Sequence, residues 1–95
     1  MHVISRRYLV EFGASHPDSI EPLDRWYRIA KKAAWSNFAE VRADFPSADQ
    51  VGDQTIFNIG GNKFRLVAEL YYESQILLVR KILTHSEYDK RKWKS

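Results

Sequence analysis

The spacing of apolar residues changes near residue 50, and this switch constrains the fold more than any other feature of the sequence. From residue 6 to 41 apolar side chains recur every three or four positions, the helical repeat. From 54 to 83 they alternate or run continuously, as strands require. Helices collected in one half and strands in the other predict an α+β domain, a small antiparallel sheet with two N-terminal helices packed on one face. The 95 residues hold material for one core, so a single domain over 1–95 is expected.

The expected order is β-α-α-β-β-β-(α). Val3 and Ile4 fit a short opening strand. Residues 6–14 place Tyr8, Leu9 and Phe12 on one helical face, and Gly13 with His16-Pro17 ends that helix. Pro22 suits the first turn of a second helix, whose apolar face carries Leu23, Trp26, Tyr27, Ala30, Ala33, Ala34 and Phe38. Asn37 and Glu40 have capping-box spacing and restart a brief helix that stops before Pro46. Gln54 to Ile59 reads as a strand, Gly60-Gly61 as a hairpin tip, and 63–72 as the partner strand. After a turn at Glu73-Ser74, residues 75–83 form a nearly continuous apolar strand expected to lie centrally. Thr84-His85-Ser86-Glu87 is a second capping-box pattern and opens a C-terminal helical turn.

The net charge of +3 is unevenly distributed. Residues 1–79 carry nine basic and ten acidic side chains, whereas 80–95 carry six basic and two acidic ones. A terminal basic cluster attracts phosphate, and it equally fits a solvated tail. The absence of cysteine excludes disulfides, thiolate nucleophiles and Cys-ligated metals. No apolar run reaches the roughly 20 residues of a membrane span, and no signal-peptide core follows the basic start, so a soluble intracellular protein is expected. His2, His16 and His85 share no metal-ligand spacing, which predicts neither a metal site nor a cofactor.

Three groups of residues could carry chemistry. Alternation places Lys63 and Arg65 on the sheet face away from Phe64, Leu66, Ala68 and Leu70, where two cations could grip one phosphodiester or lie on a solvated face. Arg80 interrupts the apolar third strand and needs either a carboxylate, with Glu69 the candidate, or a bound anion. His85 and Tyr88 share a face of the last helical turn, where His can exchange a proton, Tyr can donate one, and free helix N–H groups suit phosphate. Simple capping, with His85 in solvent and Tyr88 on the sheet, accounts for the same string.

Further evidence comes from longer stretches. Met1-His2-Val3-Ile4-Ser5, Phe45-Pro46-Ser47-Ala48-Asp49, the run from Phe57 to Ala68 containing Ile59-Gly60-Gly61-Asn62-Lys63-Phe64-Arg65, and Leu83-Thr84-His85-Ser86-Glu87-Tyr88-Asp89-Lys90 together resemble the HigB family of bacterial type II toxins. That resemblance implies a RelE-like fold, cleavage of messenger RNA on translating ribosomes, and a cytoplasmic location. It also implies a HigA-type helix-turn-helix antitoxin, through which the complex would bind operator DNA. Carried over by position, it points to Asn62, Lys63 and Arg65 and to the segment from Thr84 to Asp89. The resulting expectation is metal-independent attack of an RNA 2′-hydroxyl on the adjacent phosphate, with Arg65 and Arg80 stabilising charge and His85 or Tyr88 moving protons. Asn62, Lys63, Lys81, Lys90, Arg91 and Lys92 would hold RNA, with Trp93 and Lys94 completing the tail. The alternative is a non-catalytic RNA- or ribosome-binding module.

Overall fold

A computed structural model describes residues 1–90. Its elements run β1 (His2–Ile4), α1 (Arg6–Ser15), a 3-10 turn (Pro17–Ser19), α2 (Ile20–Lys32), α3 (Phe38–Asp44), β2 (Asp49–Val51), β3 (Gln54–Ile59), β4 (Phe64–Tyr71), β5 (Ile76–Thr84) and α4 (His85–Asp89). The five strands form one sheet in the order β1-β5-β4-β3-β2. The α+β class and the meander agree with the sequence reading. The sheet, however, is mixed: β1 runs parallel to β5, with Val3 opposite Leu77, and only the other pairs are antiparallel. Parallel pairing requires a long crossover, and the whole chain from α1 through β4 supplies it. β2 was not foreseen, because Asp49-Gln50-Val51 is too short and too polar to show alternation.

The core lies between the sheet and the N-terminal helices. Leu9 of α1, with Leu23, Trp26 and Ala30 of α2, packs against Phe57, Ile59, Phe64, Leu66, Ala68, Leu77 and Val79 of the sheet. Phe57 is fully buried, with ring centroids 5.4 Å from Trp26, 6.3 Å from Trp35 and 5.1 Å from Phe45. Such offset and edge contacts suit the ring quadrupoles.

The second helix is shorter than its apolar spacing suggests. It ends at Lys32, and Ala33 is already extended. The following linker is held by three hydrogen bonds, from the Met1 ammonium to the Ala33 carbonyl, from Trp35 Nε1 to Asp44 at 2.9 Å, and from Gln75 Nε2 to the Trp35 carbonyl at 2.8 Å. They bring Trp35 into the core from outside a helix. The helix then restarts at the expected cap, where the Asn37 side chain accepts from the Glu40 N–H at 3.0 Å.

Between β3 and β4 the chain reverses through Gly60 and Gly61, both at positive φ, which glycine adopts without steric cost. In β5 the register slips by one residue. Val67 pairs with Lys81 but Ala68 pairs with Val79, leaving Arg80 as the extra residue of a β-bulge. A smaller apolar cluster occupies the opposite sheet face, where Ile56 and Val67 are covered by Val51, Leu83 and Tyr88. Helix α4 therefore lies across the sheet from α1 and α2, and this is the face that gathers the polar residues.

Candidate active site

Alternation along β4 sends Arg65 to the α4 side of the sheet, opposite Leu83, while Phe64 and Leu66 enter the core. Arg65 is only 8% exposed, and its guanidinium is held by short-range acceptors. Nη1 donates to the carbonyl oxygens of Asn62 at 3.2 Å and Phe64 at 3.1 Å, and Nη2 donates to Asn62 Oδ1 at 3.1 Å. Nη2 also lies 3.3 Å from His85 Nδ1. A buried guanidinium without a carboxylate needs this many acceptors to offset its lost hydration.

Helix α4 brings the remaining groups to Arg65. Thr84 forms the anticipated capping box: its side chain accepts from the Glu87 N–H at 3.2 Å, and the Glu87 carboxylate accepts from the Thr84 N–H at 2.8 Å. The His85 N–H donates to the Lys63 carbonyl at 2.9 Å, docking the helix on the hairpin. The N–H groups of His85 and Glu87, expected to be free for phosphate, are thus occupied. The half-buried Tyr88 ring lies 5.5 Å from the Arg65 guanidinium carbon, within cation–π range. His85 is exposed, and its Nε2 lies 3.1 Å from Asp89 Oδ2. Asn62, Arg65, His85, Tyr88 and Asp89 therefore form one cluster at the end of the β4–β5 pair.

The cap that seats α4 can be tested. Thr84→Ala is expected to cost about 1 kcal/mol. Amide exchange across His85–Asp89 should accelerate about fivefold, with the core amides unchanged, as measured by hydrogen exchange.

Other anticipated site residues stand apart from this cluster. Lys63 lies in the turn, and its ammonium pairs with Asp18 at 3.6 Å, beside the 3-10 turn. The expected two-cation grip by Lys63 and Arg65 is not formed. Arg80 is exposed rather than buried, because the bulge removes it from strand alternation. Glu69 does not pair with it either. The Glu69 carboxylate accepts from the Tyr71 hydroxyl at 3.0 Å, a bond that raises the Tyr71 pKa above its ordinary value. Arg80 and Lys81 instead line an open groove between β5 and α1, together with Tyr8, Glu11 and Phe12. Lys90 is exposed in the turn after α4, and Arg91, Lys92, Trp93 and Lys94 lie outside the described residues. Asp89 was missed as an individual site residue, although its four-residue spacing from His85 places both on one helical face.

A family model for the HigB toxin, the RelE-like toxic component of a toxin-antitoxin system, matches residues 19–91. The chain belongs to the HigB toxin family. Among curated relatives, the mRNA interferase toxin HigB of Escherichia coli K12 is 32% identical over 92 residues, covering 94% of this chain and 88% of that protein. The mRNA interferase HigB of Shigella flexneri matches to the same extent. That of Escherichia coli O6:H1 is 30% identical over 93 residues, covering 95% of this chain and 90% of the relative. The α+β architecture is consistent with the RelE-like fold of the HigB family. A HigB-family toxin has an antitoxin as its partner, in keeping with the family description. No helix among the described residues is long and apolar enough to cross a membrane.

Proposed function

We propose that this HigB-family chain is a messenger-RNA endoribonuclease that acts in the bacterial cytoplasm, on the translating ribosome, as a single domain. The observation that carries this reading is the convergence of Asn62, Arg65, His85 and Tyr88 from two chain segments onto one sheet face. Arg65 offers a fixed guanidinium to a phosphate, the geometry needed to stabilise charge that builds on a phosphodiester in the transition state. His85 accepts a proton from the RNA 2′-hydroxyl, and Tyr88 donates one to the departing 5′ oxygen. Attack by the 2′-oxygen leaves a 2′,3′-cyclic phosphate and a 5′-hydroxyl.

Arg80 and Lys81 extend the positive surface along β5, and Lys63 and Lys90 add charge beyond the cluster, so RNA is held over a wider area than the reacting phosphate. Arg91 and Lys92, with the rest of the basic tail, contact ribosomal RNA. A HigA-type helix-turn-helix antitoxin neutralises the toxin and carries the complex to operator DNA.

Expression without an antitoxin is expected to arrest growth and to generate new messenger-RNA ends, read by primer extension. His85→Ala and Tyr88→Phe, each folded by circular dichroism, should relieve the arrest and lower cleavage by about 10²-fold, the contribution typical of a positioned acid or base. Messenger RNA left intact during wild-type growth arrest would favour a non-catalytic ribosome-binding module instead.

A further inference from the structure

The Arg65–His85 contact fixes the protonation pattern of the imidazole. A guanidinium has donors only, so at 3.3 Å from Nη2 the His85 Nδ1 must be the acceptor. The ring proton then sits on Nε2, where it meets Asp89 Oδ2 at 3.1 Å. The two Nη2 protons of Arg65 are consumed by Asn62 Oδ1 and His85 Nδ1, and the two Nη1 protons by the carbonyl oxygens of Asn62 and Phe64. Three of these four acceptors belong to Asn62 and Phe64, within three residues of Arg65 in the chain. His85 is the fourth, and it comes from a different element.

We infer that Arg65 masks the proton-accepting nitrogen of His85 in the free protein, that a bound phosphodiester unmasks it, and that Asp89 is a positioning residue holding the other ring nitrogen throughout. This inference rests on the cleavage reading above and deepens it. The four acceptors leave Arg65 Nε–H, so a phosphate gripped by two N–H groups takes Nε–H together with one on Nη2, where the acceptor most easily exchanged is the side chain on α4. As Nη2 turns to the phosphate oxygen, Nδ1 loses its donor and can accept the 2′-hydroxyl proton. The O2′–P bond forms while the P–O5′ bond breaks, and the 5′ oxygen takes the Tyr88 proton. The imidazolium and phenolate then equalise by proton exchange through solvent. The Asp89 carboxylate faces Nε2–H and compensates the imidazolium charge during the step. Glu87 cannot substitute, since its carboxylate is engaged by the Thr84 N–H.

The test combines ring-nitrogen NMR of His85 with kinetics. In the free protein Nε2 should be protonated and Nδ1 should be a hydrogen-bonded acceptor, and Arg65→Ala should shift the Nδ1 resonance towards that of an unbonded nitrogen. A short RNA with a single 2′-deoxy substitution at the cleavage position, which binds but cannot react, should produce the same shift in the wild-type protein. Asp89→Ala should reduce kcat about tenfold with little change in KM and populate both ring tautomers. Asp89→Asn, which keeps an acceptor, should recover most of the rate. A proton on Nδ1 in the free protein, an Nδ1 resonance unmoved by saturating analogue, or a wild-type kcat in Asp89→Ala would each overturn the inference. If the wild-type protein cleaves no RNA, the catalytic reading fails, and the resonances of the free protein still decide whether Arg65 and Asp89 fix the ring.

Discussion

Arg65→Ala is expected to lower the rate of messenger-RNA cleavage by about 10²–10³-fold, the loss typical when one donor to transition-state charge is removed. The effect should fall on kcat, because charge accumulates on the phosphate only as the bonds exchange. Arg65→Lys should recover little of it. A lysine supplies the charge but not the planar fork that the Asn62 and Phe64 oxygens orient, and its ammonium would sit in a site shaped for a guanidinium. Arg65 is also buried, so thermal unfolding must accompany the kinetics. A variant that retains its fold and cleaves at the wild-type rate would remove Arg65 from the reaction.

Phe57→Ala should produce the largest loss of stability, about 3–5 kcal/mol. The ring is fully buried and meets Trp26, Trp35 and Phe45 at once, so three large neighbours from α2, the linker and the segment after α3 would line the cavity. In a domain of this size each kcal/mol lowers the melting temperature by about 4–8 °C. A drop above 12 °C in calorimetry is expected. A smaller one would mean that the aromatic group collapses onto the space.

Local signals in the sequence carried most of the fold. The capping box at Thr84 formed where its spacing placed it, the cap at Asn37 formed in half, with the Glu40 carboxylate accepting from the Ser36 N–H instead of the Asn37 N–H, and β3 kept its anticipated bounds. What failed depends on contacts distant in sequence. The apolar spacing that joins Ala33, Ala34 and Phe38 to α2 is genuine, yet the linker's bonds with Met1, Asp44 and Gln75 hold it out of the helix there. The parallel partner of β1 lies more than seventy residues away.

The site was legible to the same degree. Arg65, His85 and Tyr88 converge because alternation in β4 and capping at Thr84 are local rules. The displacement of Arg80 follows from the register between two strands, and the Lys63–Asp18 pair from how the hairpin meets the 3-10 turn. Neither can be read from one strand alone.

The position of the site along the β4–β5 pair affects how the protein loses function. The two strands are joined at the end where Tyr71 faces Ile76, and the opposite end, where Phe64 faces Thr84, carries Arg65 and the start of α4. At that open end β5 has no second strand beside it, since β1 pairs only with Ile76, Leu77 and Leu78. β4 is anchored at that end by its own turn to β3, where Ile59 faces Phe64, so it is β5 with α4 that is free to open. The half of the cluster carried by Thr84–Asp89 is therefore expected to separate before the core of the sheet, so that on heating cleavage falls before the protein unfolds.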